Sequence, residues 1–168
     1  MRPAELIAFL AEHGIDCPTV SHPPLMTVAD SRRHREVHDG AYTKNLFVRN
    51  KRGRMWLLTL LEDREIVLKE IARAIGAGNL SFASRERLWR HLGIEPGAVS
   101  PLALVNDRER GVEFLIDPGI LVHGTIHLHP LDNTMTTTLT REGFLKFLAT
   151  LGREPKPLPV GDGGAPGS

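Results

Sequence analysis

The sequence predicts a single α+β domain with a mixed, largely antiparallel sheet flanked by helices. Three observations lead there. A chain of 168 residues and 18.6 kDa is long enough for one domain with its own core and too short for two ordinary ones. Strand-like patterns cluster in the middle and toward the end, while helical patterns sit at both ends and between. Two of the strand patterns are joined by the turn Lys51-Arg52-Gly53, and a hairpin pairs its strands antiparallel. A doubly wound, all-parallel sheet fits this order less well.

The first helix is expected over Pro3–His13, with Leu6, Ile7 and Leu10 on one face and Gly14 as its stop. The segment Cys17–Pro24 reads as extended, closed by Pro23 and Pro24. Thr27 has the character of an N-cap for a short basic helix reaching about Arg35. Strands follow over Tyr42–Asn50 and Arg54–Leu61. Ile66–Ile75 is helical by its stripe of Val67, Ile71, Ala74 and Ile75, and Gly76 ends it. Ser84 can cap a helix over Arg85–His91 that Gly93 terminates. Pro96 and Pro101 restrain the loop that follows, and Gly97 frees it.

Further strands are expected over Leu102–Asn106, Val112–Ile116, Leu121–His129 and Thr134–Thr140, the last favoured by three β-branched threonines. A closing helix, Arg141–Leu151, takes Thr140 as its cap and buries Phe144, Phe147 and Leu148. The domain is therefore expected over residues 1–152. Half of the 16 residues from Arg153 to Ser168 are Pro or Gly, so 153–168 reads as a disordered tail.

Composition sets bounds on function. Hydrophobic residues at 41% and charged residues at 24% are ordinary for a soluble protein. The longest apolar run, Leu6–Ala11, is far too short to span a bilayer, and Glu5 and Glu12 bracket it in a way no signal peptide would. The single cysteine, Cys17, excludes an internal disulfide and a multi-thiolate metal site. A cytoplasmic monomer without membrane contact is the expectation.

The net charge of +1 hides an asymmetry: between Arg32 and Arg54 eight basic residues face two acidic ones. Arg32, Arg33, Arg35, Lys44, Arg49, Lys51, Arg52 and Arg54 are the eight, and a second cluster holds Arg85, Arg87 and Arg90. Polyanions respond to the local field, so a phosphate-bearing partner is one reading and a solvated surface the other.

Lys44 is the most informative residue. In a strand it shares a face with Leu46 and Val48, while Thr43, Asn45 and Phe47 take the other. It either meets a ligand oxygen or snorkels to water. His123, His127 and His129 would line one face of a continuous strand, as a metal triad, a polar pocket wall or core-satisfied histidines. The nucleophile elbow, zincin and P-loop motifs are all absent.

Three segments taken together, Thr43-Lys44-Asn45-Leu46-Phe47, Gly97-Ala98-Val99-Ser100-Pro101 and His129-Pro130-Leu131 with Asn133-Thr134, resemble the prolyl-tRNA editing deacylases. These are free-standing relatives of the editing domain inserted in bacterial prolyl-tRNA synthetase, and the chain looks most like the branch that clears alanine from tRNA(Pro). The resemblance covers about Pro3–Leu151. It implies an editing-domain-like fold and hydrolysis of the ester on mischarged tRNA(Pro), without cofactor or metal.

It further implies that Lys44, Gly97 and His129 serve catalysis and that Asn45, Ser100 and Pro101 contact the substrate. Arg32, Arg33, Arg35, Lys51, Arg52 and Arg85 would then meet the acceptor stem, with prolyl-tRNA synthetase as a further partner. Cys-, Ser- or Thr-charged tRNA remains an alternative substrate, and a non-catalytic tRNA-binding module an alternative role.

Overall fold

The computed structural model describes residues 1–24 and 39–160. Helix α1 (Pro3–Glu12) leads into the short strand β1 (Thr19–Ser21). The hairpin β2 (Ala41–Arg49) and β3 (Met55–Leu61) follows, then α2 (Leu68–Ala74), β4 (Ser81–Phe82) and α3 (Arg85–Leu92). After β5 (Val112–Ile116) come β6 (Thr125–Leu128), β7 (Met135–Thr140), α4 (Arg141–Thr150) and β8 (Lys156–Pro157).

The sheet has the order β1-β7-β6-β2-β3-β5-β8, with β4 also on β2. The hairpin, β6–β7, β1–β7 and β2–β4 pair antiparallel, whereas β2–β6, β3–β5 and β5–β8 run parallel. The expected α+β class with a mixed sheet is what the chain forms.

All seven residues of β3 are buried, because helices and loops cover both faces of this central strand. Met55, Leu57 and Leu61 join the larger core with α1, α3 and α4; Trp56, Leu58 and Leu60 join a smaller one with Ile71, Ala72 and Leu115. That explains a run of MWLLTLL with no apolar–polar alternation. Thr59 alone interrupts it.

Three expectations need correction. Leu102–Asn106 is no strand: a 3-10 turn spans Pro101–Asn106, begun by the fixed φ of Pro101 and by the Ser100 hydroxyl, which accepts from the Leu102 N–H at 3.2 Å. Leu121–His129 is not one strand either. Its first part lies in a 3-10 turn over Pro118–Val122, capped by the Asp117 side chain, and the strand starts only at Thr125. His123 therefore closes a turn and does not share a strand face with His127.

The two-residue strand β8 lies in the segment read as tail, and β4 in a stretch between Gly76 and Ser84 for which no element was expected. Leu158 is buried, and Arg153 donates to the Val112 carbonyl and to Asp107, so residues 153–160 are bound to the sheet edge. The basic helix expected after Thr27, and residues 161–168, lie outside the described residues. Among the described residues no helix is long and apolar enough to cross a membrane.

Candidate functional site

The sheet divides at β2. Along one edge β2 pairs with β3 without a break from Thr43–Leu61 to Arg49–Met55. Along the other, β6 takes only Ala41 and Tyr42, and β4 only Val48 and Arg49. Among the described residues no strand runs beside 44–46 on that edge. The two rims of the opening are tied back: the Thr43 hydroxyl donates to the His127 carbonyl at 3.0 Å, and the Ala83 N–H donates to the Phe47 carbonyl at 2.9 Å. The segment Thr43–Phe47 thus occupies the fork, its backbone edge turned to an opening in the sheet.

Strand alternation sends side chains to opposite sides of this fork. Tyr42 and Lys44 point to one side, where the Tyr42 ring stacks on His127 at 4.2 Å between centroids. His127 is buried and held at both nitrogens. Its Nε2 lies 2.9 Å from the Asp39 carbonyl and its Nδ1 2.9 Å from the Thr138 hydroxyl. A carbonyl only accepts, so Nε2 carries the hydrogen and Nδ1 accepts from Thr138.

His129 takes the opposite tautomer. Its Nδ1 donates to the Met135 carbonyl at 2.8 Å, which leaves the lone pair on Nε2. Burial lowers its pKa below the ordinary 6.5, and the nearby His22 works in the same direction against the Met135 carbonyl and Asp132. The ring is therefore neutral at pH 7. His22 lies 6.2 Å from it between centroids, donating from Nδ1 to the Pro23 carbonyl at 2.8 Å, with its Nε2 2.7 Å from the Thr136 hydroxyl. The histidines gathered here are His22, His127 and His129. Among the described residues no three His, Cys, Asp or Glu side chains are grouped to hold a metal.

The other side of the fork carries Asn45 and, behind it, the loop around Gly97. The Asn45 carbonyl oxygen accepts from the Thr59 hydroxyl at 2.5 Å. Gly97 has φ +93°, a conformation that favours glycine, and Ala98 and Val99 pack into the same core cluster as Phe47. Ser100 is fully enclosed and Pro101 buried, with the serine hydroxyl already capping the 3-10 turn. Their buried side chains hold the shape of the loop. Cys17 is half-buried, and burial followed by the charge of Asp16 raises its pKa, so its thiol stays protonated.

A second opening, a cleft of about 360 Å³, lies at the hairpin end between Asn50–Arg54 and Gly76–Asn79. The cleft begins at Asn50, six residues along the chain from Lys44, about 20 Å away at the rise of a strand. Buried Asn50 braces it, donating to the Ala77 carbonyl at 3.1 Å and accepting from the Arg54 N–H at 2.9 Å. Lys51 and Arg52 are exposed there; Arg54 stacks on Trp56 and pairs with Glu113 at 2.7 Å. Arg85, on α3, pairs with Glu95 at 2.7 Å. Arg32, Arg33 and Arg35 lie outside the described residues.

Sequence reasoning singled out Lys44, Asn45 and His129 and missed His22, Tyr42, Thr59 and Thr138. Of these only Thr59 carried a signal, as a lone hydroxyl in an apolar strand.

A family model described as the aminoacyl-tRNA editing domain matches residues 22–147. A zebrafish (Danio rerio) protein named prolyl-tRNA synthetase associated domain-containing protein 1 is 37% identical over 147 residues, covering 86% of this chain and 79% of the relative. The prolyl-tRNA editing protein ProX of Acetoanaerobium sticklandii is 33% identical over 148 residues, covering 88% and 90%. A solved structure assigned as a candidate trans-editing enzyme for prolyl tRNA synthetase superposes with a TM-score of 0.70 at 18% identity, over 95% of this chain and 97% of its own, and so shares the fold.

Proposed function

The chain belongs to the aminoacyl-tRNA editing domain family, and on that footing we propose that it is a trans-editing hydrolase that deacylates mischarged tRNA(Pro), with Ala-tRNA(Pro) as its substrate. The observation that carries this reading is the fork in the sheet: the family-like segment Thr43–Phe47 lies along its open edge, with Lys44 on the side that holds the histidine-lined surface.

In the proposed reaction a water oxygen attacks the carbonyl carbon of the aminoacyl ester. The bond to the ribose oxygen then breaks, the ribose oxygen leaves with a proton, and free alanine is released. An aminoacyl ester is already activated, so orientation and polarisation supply most of what is needed. Lys44 places a positive charge for the ribose or phosphate of the terminal adenosine. His129, neutral and with Nε2 unprotonated, positions the attacking water. Gly97 gives a backbone surface without a side chain for the aminoacyl group, and Ser100 and Pro101 fix that loop. Asn45 donates to the substrate from its amide.

No step calls for a metal or a protein nucleophile. Selection against proline is steric, the strategy of a second sieve that admits only the smaller residue.

Lys51 and Arg52, in the braced cleft at the hairpin end, suit the phosphates of an acceptor stem whose 3′ end reaches Lys44. Arg85 and the arginines at 32, 33 and 35 are further candidates for phosphate contacts by their charge. The enzyme acts as a cytoplasmic monomer that prolyl-tRNA synthetase can supply.

The test is release of amino acid from Ala-, Cys-, Ser-, Thr- and Pro-tRNA(Pro) with EDTA present. Rapid alanine release with Pro-tRNA(Pro) spared is expected. Preference for cysteine, serine or threonine would change the substrate, and tight tRNA binding with no release would make the chain a binding module.

A further inference from the structure

A hydroxyl in the middle of a wholly buried strand needs a reason. Thr59 is 1% exposed and is the single polar residue among the seven of β3, where an unpaired hydroxyl would be costly to bury beside an apolar side chain. The structure gives it one side-chain partner, Asn45, its cross-strand neighbour in the β2–β3 register. Two polar side chains therefore face each other at the point where β2 borders the fork.

The distance fixes which way the Asn45 amide is turned. At 2.5 Å the contact lies in the range of O–H···O bonds and below that of N–H···O bonds. Thr59 is the donor and the amide oxygen the acceptor, so the Asn45 NH₂ group is directed away from β3. Among the described residues no acceptor in the chain takes that NH₂. Asn45 is only half-buried, and its backbone lies on the open edge.

We propose that Thr59 is a positioning residue: its hydroxyl locks the Asn45 amide so that the NH₂ group faces the fork as a donor for the carbonyl oxygen of the scissile ester. The donor is aimed before the substrate arrives, and a donor so fixed stabilises the negative charge that grows on that oxygen during attack. The inference rests on the deacylase reading and deepens it by assigning the origin of one donor. Thr59 does not touch the substrate; without its hydroxyl, the amide is free to turn its oxygen toward an electron-rich group.

The experiment compares Thr59→Val with Thr59→Ser and the wild type. Valine keeps the shape and suits an apolar strand, so the fold holds, and a melting curve checks it. Thr59→Val is expected to lower kcat for alanyl release about 10-fold with KM little changed, and Thr59→Ser, which keeps the hydroxyl, to restore most of it. Equal kcat in Thr59→Val and wild type overturns the proposal, as does a serine variant no better than valine.

A second readout is independent of turnover. The Asn45 side-chain NH₂ signals in a nitrogen-15 spectrum, assigned with Asn45→Asp, should shift and broaden in Thr59→Val. They should shift in the wild type when a non-hydrolysable alanylamide of adenosine is added. Absence of deacylation by the wild type would overturn the underlying function. Asn45 signals identical in wild type and Thr59→Val would overturn the positioning role, whether or not the wild type turns over.

Discussion

The two halves of this sheet are built to opposite rules. Around β3 and β5 both faces are covered, every strand residue but Thr59 that meets the core is apolar, and the two core clusters meet back to back. Around β2, β6 and β7 one face is polar: Tyr42, Lys44, His127, Thr136 and Thr138 follow one another across it, with His22 and His129 at its margin. The first half is where folding free energy accumulates. The second spends polar groups on one another, each histidine held by a carbonyl or hydroxyl, and leaves a strand edge open. The covered half and the proposed site meet along β2, where Asn45 faces the buried Thr59 and the loop around Gly97 packs on the larger core.

The sharpest way to break that comparison is to damage the covered half. Asp117 and Arg64 form a buried bidentate pair, both contacts at 2.8 Å, at the ends of β5 and β3. Burial alone would raise the Asp117 carboxyl, but the Arg64 guanidinium with the N–H groups of Gly119 and Leu61 outweighs it and holds the pKa below 3.8. Asp117→Asn strands the guanidinium and should destabilise the fold by about 3–5 kcal/mol in urea melts. In the wild type the pair's contribution is full above pH 3.8, the ordinary carboxyl value, and is lost as pH falls through the lowered one. A protein that keeps its stability in Asp117→Asn would show that this pair is not part of the frame.

In the polar half the expected losses are of rate. Because the folded protein holds His129 below 6.5, the acid limb of kcat should fall below pH 6.5 and not at it. His129→Ala should lose about 10- to 100-fold at pH 7 and lose that limb with it. The limb persisting in His129→Ala would assign it to another group.

Smaller again is the basic cleft. Lys51→Ala with Arg52→Ala should raise KM about 3- to 10-fold, leave kcat unchanged, and reduce the salt slope of tRNA binding by roughly one to two. An unchanged slope would remove the acceptor stem from the hairpin end.

Much of the frame was legible because the signals are local. Ser84, Gly93 and Thr140 mark helix ends by their own chemistry, and the hairpin turn and the period-free run of β3 need no tertiary information. The errors arose where a local motif competes with an apolar run. Pro101 and Pro118 each turn a strand-like sequence into a 3-10 turn, and the displaced register removed His123 from the histidine face. The two-residue strands β4 and β8 are too short for any period.

The site was legible in its parts and not in its assembly. Lys44 and Asn45 were visible on opposite faces of a strand, but their place at the fork comes from the edge that β6 and β4 leave open between them, a long-range fact. His22 reaches the site from a proline-rich loop with no pattern of its own, and Tyr42 is defined by the ring it stacks on.

The most direct test of the division is Lys44→Ala, with deacylation of Ala-tRNA(Pro) and thermal unfolding measured on the same preparation. The account predicts a fall in kcat/KM of at least about 100-fold, near 2.7 kcal/mol, with Tm within about 3 °C of wild type. Full alanyl release by Lys44→Ala, or a collapse of Tm with activity lost only in proportion to the folded fraction, would contradict it.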